Sequence, residues 1–148
     1  MNGNYALVYP MFAMVCLTAF VLVRMFRARV RAVREGAVTP GYFKTYQGQQ
    51  EPPQSAQAAR HFINLFEAPT LFYVACVTAM VVQVQGQGIV LLAWLYVAVR
   101  LVHAFIHLGP NKLNPRIQAY AFSWLVLLTL WGWIVVAVAS GPRFVIGG

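Results

Sequence analysis

Hydrophobic residues run in four long blocks along the chain, at about residues 5–26, 59–83, 89–108 and 116–140. Each block is close to the roughly 20 residues that a helix needs to cross the hydrocarbon core of a membrane. No water reaches the backbone there, so every amide must be paired inside its own segment, as it is in a helix. The pattern predicts an all-α integral membrane protein whose four spans form one four-helix bundle over residues 1–148.

Polar, turn-forming segments separate the four blocks. A run of glutamine and glycine at 83–88 interrupts the pattern after the second block, and Gly109-Pro110 ends the third, because proline cannot continue a helix. The long connection at 27–58 contains Thr39-Pro40-Gly41 and Glu51-Pro52-Pro53 and has no apolar period. We therefore expect a polar loop there.

Composition excludes a soluble domain of this size. Hydrophobic residues make up 60% of the chain and charged residues 9%, against about 25% charged in ordinary soluble proteins. Cys16 and Cys76 both fall inside predicted spans. They are interpreted as small apolar fillers rather than as a disulfide or a nucleophile.

The basic residues predict the orientation. Seven lie between the first two spans or at their facing ends: Arg24, Arg27, Arg29, Arg31, Arg34, Lys44 and Arg60. Lys112 and Arg116 lie between the last two spans, and the opposite side carries only Arg143. Short cytoplasmic loops are enriched in Lys and Arg, so both termini are expected on the non-cytoplasmic side. The net charge of +8 then faces anionic lipid headgroups, and nucleic acid is not expected as a partner.

Ionisable and polar side chains occur inside the second and third spans. On the second span, Arg60, Asn64 and Glu67 are spaced i, i+4, i+7; on the third, the spacing of Arg100, His103 and His107 is i, i+3, i+7. Each set shares one helical face. A charge at membrane depth is costly, so partners and a protein-facing or water-filled site are expected.

The two faces also match in depth. The spans are joined by a short loop and run antiparallel, so residues at equal depth have a nearly constant sum of residue numbers. Three pairs share one sum: Glu67 with Arg100, Asn64 with His103, and Arg60 with His107. We therefore predict a contact between Glu67 and Arg100 about two turns inside the cytoplasmic boundary. An alternative is that the charges only hold the two helices together.

The fourth span adds Arg116 and Tyr120, one turn apart on one face. A cavity at this end would present several guanidinium groups, one carboxylate, an amide and a phenol. This set favours a small zwitterionic ligand with excess negative charge, because Arg binds carboxylates and Glu67 can bind an amine.

These motifs resemble the membrane-associated eicosanoid and glutathione metabolism (MAPEG) family over nearly the whole chain. The resemblance is carried by Arg-x-x-x-Asn-x-x-Glu from Arg60, Arg-x-x-His from Arg100, and Arg-x-x-x-Tyr from Arg116. It implies a homotrimer that binds glutathione at subunit interfaces on the cytoplasmic side. It also implies transfer of glutathione to lipophilic electrophiles, reduction of lipid hydroperoxides, or isomerisation of prostaglandin endoperoxides.

The resemblance also assigns roles to residues. By position, glutathione would be bound by Arg60, Asn64, Glu67, Arg100, His103, His107 and Tyr120. Arg116 matches the arginine that stabilises the glutathione thiolate, which is the actual nucleophile. Ile117 stands where prostaglandin E synthases carry a serine, Ile63 where some relatives have a second arginine, and His107 where tyrosine is common. These departures argue against a prostaglandin-specific enzyme and favour transferase or peroxidase chemistry.

Other interpretations stay open from the sequence. A non-catalytic ligand-binding or scaffold protein of the same fold is one. A metal or haem protein is another, since two histidines at i and i+4, as His103 and His107 are, can bind the same metal. No third Cys, Asp or Glu lies near and Arg100 would repel a cation, so no metal is expected. A small transporter lacks an inverted repeat or broken helix. Abundant arginine favours a bacterial inner membrane.

Overall fold

The computed structural model describes residues 4–84 and 86–140, and most of these are helical. A short 3-10 turn at Tyr5–Leu7 precedes six helices: α1 (Val8–Arg34), α2 (Tyr42–Thr45), α3 (Pro53–Asn64), α4 (Ala68–Val81), α5 (Gln87–Leu108) and α6 (Leu113–Ser140). Four stretches are long and apolar enough to cross a membrane: Tyr5–Arg34, Pro53–Val81, Gln87–Leu108 and Leu113–Ser140. The described residues contain no strand, and the predicted all-α fold with four spans is confirmed.

Helix α1 extends further than the hydrophobic block that predicted it. No glycine or proline interrupts the chain between residue 11 and Arg34, and the basic residues there are good helix formers. The helix ends where Gly36 takes a φ of +71°, a conformation that glycine adopts without strain. The amides of Gly36 and Ala37 then donate to the carbonyls of Val33 and Ala32, as in a Schellman motif. Four of the loop arginines therefore lie on a helix.

The second span is divided into two helices, although the sequence pattern predicted no broken helix. Helix α3 ends at Asn64 and α4 begins at Ala68, and the turn between them includes Glu67. Pro69 explains the break, because it has no amide to donate and its ring would meet the carbonyl four residues earlier in a continuous helix. Thr70 instead donates its amide to the carbonyl of Glu67, which starts the new helix.

The connection between the first two spans is folded against α1. The guanidinium of Arg29 lies 5.1 Å from the ring centroid of Phe43 and 5.6 Å from that of Tyr46. The same arginine is 3.8 Å from a carboxylate oxygen of Glu51. Each cation–π contact is worth about 0.5–1 kcal/mol at an exposed position. The segment expected to be an irregular loop therefore holds the short helix α2 in a defined place.

Helix α5 lies at the centre of the bundle and packs against α1, α3 and α6. Its Tyr96 ring stacks on Phe72 of α4, with centroids 4.5 Å apart and planes 12° from parallel. Helices α5 and α6 approach closely where a Cβ atom on Gly88 would meet the indole of Trp133. This packing fixes the side-chain positions of α5 relative to its neighbours.

Large apolar side chains cover the outside of the bundle. Phe12, Leu91, Leu125 and Val135 are each more than half exposed. A soluble monomer rarely shows contiguous apolar surface of this extent. In a bilayer, the same surface is the part that contacts lipid or another subunit.

Candidate functional site

The polar side chains inside the membrane centre on Arg100, which is fully buried. One terminal nitrogen of its guanidinium donates to Oδ1 of Asn64 at 2.6 Å and approaches the carbonyl oxygen of the same residue at 3.3 Å. Nδ2 of Asn64 in turn donates to a carboxylate oxygen of Glu67 at 3.3 Å. The three side chains form a hydrogen-bonded relay, with the amide in the middle.

The predicted contact between Glu67 and Arg100 is therefore wrong in its detail. The two charges form no ion pair in the part of the chain that the structure describes, and Asn64 lies between them. The spacing rule assumed one continuous helix from Arg60 onward. Because α3 ends at Asn64, Glu67 leaves the shared face and becomes exposed on the following turn.

Arg100 keeps unused hydrogen-bonding capacity. Its Nε and second terminal nitrogen are buried and have no hydrogen-bond partner among the described residues. Its guanidinium carbon is 6.0 Å from the ring centroid of Tyr120 on α6. Burying a cation without full pairing is unfavourable, so this position favours an anionic group.

Three histidines lie together beside this relay. His61 of α3 packs against His107 and His103 of α5, with ring centroids 4.8 and 5.5 Å away. The two rings on α5 are 5.6 Å apart, and all three side chains are buried. Nε2 of Gln57 donates to the carbonyl oxygen of His107, which ties α3 to the end of α5.

His61 is the residue that the sequence did not single out. Arg60 lies within electrostatic range of His107, as predicted, but the ring in contact with His107 belongs to the next residue along α3. Arg60 is exposed and forms no hydrogen bond or ion pair with the described residues. A histidine one position from a motif residue points about 100° around the helix, so the motif spacing carried no signal for it.

Arg116 and Tyr120 reach the same end from α6. The Tyr120 ring is 5.8 Å from that of His103, so the phenol lies beside the cluster as predicted from its position. Arg116 is half-buried and donates to Oδ1 of Asn111 at 2.7 Å. Its guanidinium is thus held at the turn between α5 and α6.

A cavity of about 360 Å³ opens at this end of the bundle; its lining includes Leu108 and Gly109 at the end of α5 but none of the three histidines. Its polar lining comes from α1 and α3: Arg24, Arg27, Arg31, Gln54 and Gln57. The volume lies in the range of small-molecule sites. Among the arginines of the first connection, Arg24, Arg27 and Arg31 line this cavity, and Arg34 lines a second one together with Arg27 and Arg31.

Four membrane-spanning helices and a buried, positively charged polar cluster at one end define an α-helical integral membrane protein with polar groups inside its bundle. The chain matches the family model of the MAPEG family over residues 7–136 and belongs to that family. No curated protein and no solved structure matches the chain. Family membership supports a membrane protein of glutathione or eicosanoid metabolism.

Proposed function

We propose that this protein is a membrane-bound glutathione transferase, with peroxidase-like activity on lipid hydroperoxides as a variant of the same chemistry. It would bind glutathione at the polar end of the bundle and add its thiolate to a lipophilic electrophile that arrives through the bilayer. The relay of Arg100, Asn64 and Glu67 is the observation that supports this best. It offers donors to a carboxylate and an acceptor to an amine, as a zwitterionic peptide requires.

The remaining residues of the site complete the proposed binding. Tyr120 and His103 lie beside the relay, and the ring of His107 contacts that of His103. Arg60 is exposed at the same end and supplies a further positive charge for the second carboxylate. Arg100 would contribute indirectly from inside the bundle: it holds Asn64 in place and favours negative charge nearby.

Arg116 is proposed as the group that activates the thiol. A free thiol has a pKa near 8.5, so it is mostly protonated at neutral pH, and a guanidinium stabilises the thiolate. The sulfur would form a bond to the electrophilic carbon, the leaving group would depart with its electron pair, and the thiol proton would pass to water. Asn111 holds the guanidinium in place before glutathione binds.

Calorimetry with glutathione on the purified protein in detergent is the first test. Turnover of 1-chloro-2,4-dinitrobenzene by wild type and by Arg116→Ala follows. We expect Arg116→Ala to lower the turnover number by about 100-fold, the usual effect of removing one charge-stabilising donor. Lys112→Ala is the matched control, because it removes one exposed positive charge just before α6, four residues from Arg116, and should keep the wild-type rate. Unchanged turnover in Arg116→Ala would reject the assigned role.

A second candidate is a non-catalytic ligand-binding or scaffold protein of this family. The observation in its favour is the hydrogen bond from Arg116 to Asn111, which occupies part of the guanidinium. Ile117 and Ile63 also stand where some relatives are polar. Glutathione binding without turnover of any electrophile or hydroperoxide would favour this candidate over the enzyme.

A further inference from the structure

All three histidines of the chain meet at one point inside the bundle. His61 comes from α3, and His103 and His107 are one turn apart on the facing side of α5. Their exposed fractions are 0%, 3% and 8%, so the rings are closed off from solvent. One ring nitrogen from each lies within 4.8 Å of the others.

The ring nitrogens are almost all unpaired. Both nitrogens of His61, both of His103 and Nδ1 of His107 are buried without a hydrogen-bond partner among the described residues. Buried polar atoms in native proteins nearly always have a partner, so an orphan group calls for an explanation. Three such rings lie close together, with one nitrogen of each within 4.8 Å of the others, so one shared partner could pair with all three.

We propose that His61, His103 and His107 form a binding site for a divalent transition metal, with Zn²⁺ as the best fit. Neutral imidazole is a preferred ligand for Zn²⁺, and three protein ligands leave a fourth position open. Histidines at i and i+4 on one helix present their rings to the same ion, and the ring from α3 closes the site from the other side. No Asp or Glu belongs to the described cluster.

The geometry needs only small side-chain movements. Zinc–nitrogen bonds of about 2.0–2.1 Å in a tetrahedron place the ligand nitrogens about 3.4 Å apart. The present separation of up to 4.8 Å is therefore wider by about 1.4 Å, which ring rotation can close. Gln57 already fixes the backbone of His107 against α3, so the helices need not move.

The positive surroundings restrict what fills the fourth position. Arg100 lies one turn before His103 on α5 and has no ion-pair partner among the described residues. It opposes a bare cation, and it favours a metal that carries an anionic ligand such as hydroxide or a thiolate. A metal-bound anion would also approach the unused donors of Arg100. The proposal rests on the histidines and does not require that glutathione bind.

The test uses full-length protein in detergent, purified with a tag that contains no histidine and then treated with a chelator. Titration with Zn²⁺ against a chromophoric competitor should give one tightly bound ion per chain. Co²⁺ in its place should give the intense visible bands of tetrahedral coordination. We expect His61→Ala to weaken Zn²⁺ binding by at least 100-fold, while Gln118→Ala, at an exposed position of α6, keeps all three rings and binds as wild type does.

Two outcomes would overturn the proposal: folded wild type that binds neither ion, or His61→Ala that binds Zn²⁺ as tightly as wild type. If His61→Ala does not fold, as judged by circular dichroism, Zn²⁺ binding by His103→Asn and the Co²⁺ spectrum of wild type test the proposal instead. Glutathione calorimetry on the chelated protein separates the two proposals. If wild type binds glutathione but no metal, the metal site is rejected and the proposed glutathione site is not.

Discussion

At the scale of single residues, the unusual feature is a fully buried arginine whose hydrogen-bond partner is a neutral amide. Arg100 is held by Asn64 and reaches the charge of Glu67 only through it. A hydrogen bond to a charged group contributes about 1.5–3 kcal/mol, and the remaining partner is left buried and unpaired when it is lost. Asn64 is therefore the residue on which the stability of the relay depends.

Asn64→Ala should lower the free energy of unfolding by about 1.5–3 kcal/mol, since the guanidinium of Arg100 loses its acceptor. Titration of the detergent-solubilised protein with sodium dodecyl sulfate, followed by circular dichroism, measures the change. Asn114→Ala is the control, because this residue is exposed at the start of α6 and its removal should be nearly neutral. Equal stability of the two variants would contradict the proposed dependence.

The relative level of the polar residues along α3 and α5 could be predicted from the sequence, but their partners could not. Antiparallel numbering brought the right parts of α3 and α5 together, as the contacts of Asn64 with Arg100 and of His61 with His107 show. Partner identity depends on rotation about each helix axis, and one residue changes that by about 100°. His61 was missed for this reason, and the place of Glu67 depended on a helix break.

At the scale of helices, the number and type of the spans followed from hydrophobicity, whereas the positions where helices begin and end depended on local chemistry. The predicted polar loop from residue 27 is helical up to Arg34, because a run of charged residues does not end a helix unless a glycine or proline follows. Conversely, Pro69 lies in a hydrophobic block and still divides the span. Hydropathy identifies the segments that span the membrane, but it gives little information on whether the helix in each segment is continuous.

The close approach of α5 and α6 gives a prediction at this scale. Gly88→Ala places a Cβ against the indole of Trp133, and we expect a loss of about 1 kcal/mol, the lower end of overpacking effects. Gly132→Ala on α6 meets open space and should be neutral or stabilising, since alanine favours helices. Thermal unfolding in detergent compares the two. A Gly88→Ala variant as stable as Gly132→Ala would show that the helices do not pack this closely.

At the scale of the whole molecule, the distribution of charge predicts the orientation in the membrane. The arginines of α1 and those around the turn before α6 lie at one end of the bundle, and such residues stay in the cytoplasm. We propose that both termini lie on the other side, in a bacterial inner membrane, and that the apolar outer faces of three subunits meet in a homotrimer.

Reporter fusions in bacterial cells test the orientation. Alkaline phosphatase fused after residue 148 should be active, because this enzyme folds only outside the cytoplasm, and a green fluorescent protein at the same point should stay dark. A chain cut after residue 109, which ends on the basic side, should give the reverse pattern. Fluorescence from the full-length fusion would mean that the orientation is inverted.

The break in the second span has a further consequence for how reactants would reach the site. Helix α4 has 14 residues and so is about 21 Å long, well short of the ~30 Å hydrocarbon core. The turn and the end of α3 must make up the difference, which draws Asn64 and Glu67 below the level of the lipid headgroups. A molecule dissolved among the acyl chains could then enter sideways without passing through water. The rate would follow its mole fraction in the bilayer, so adding lipid at a constant total amount of substrate would slow the reaction by surface dilution.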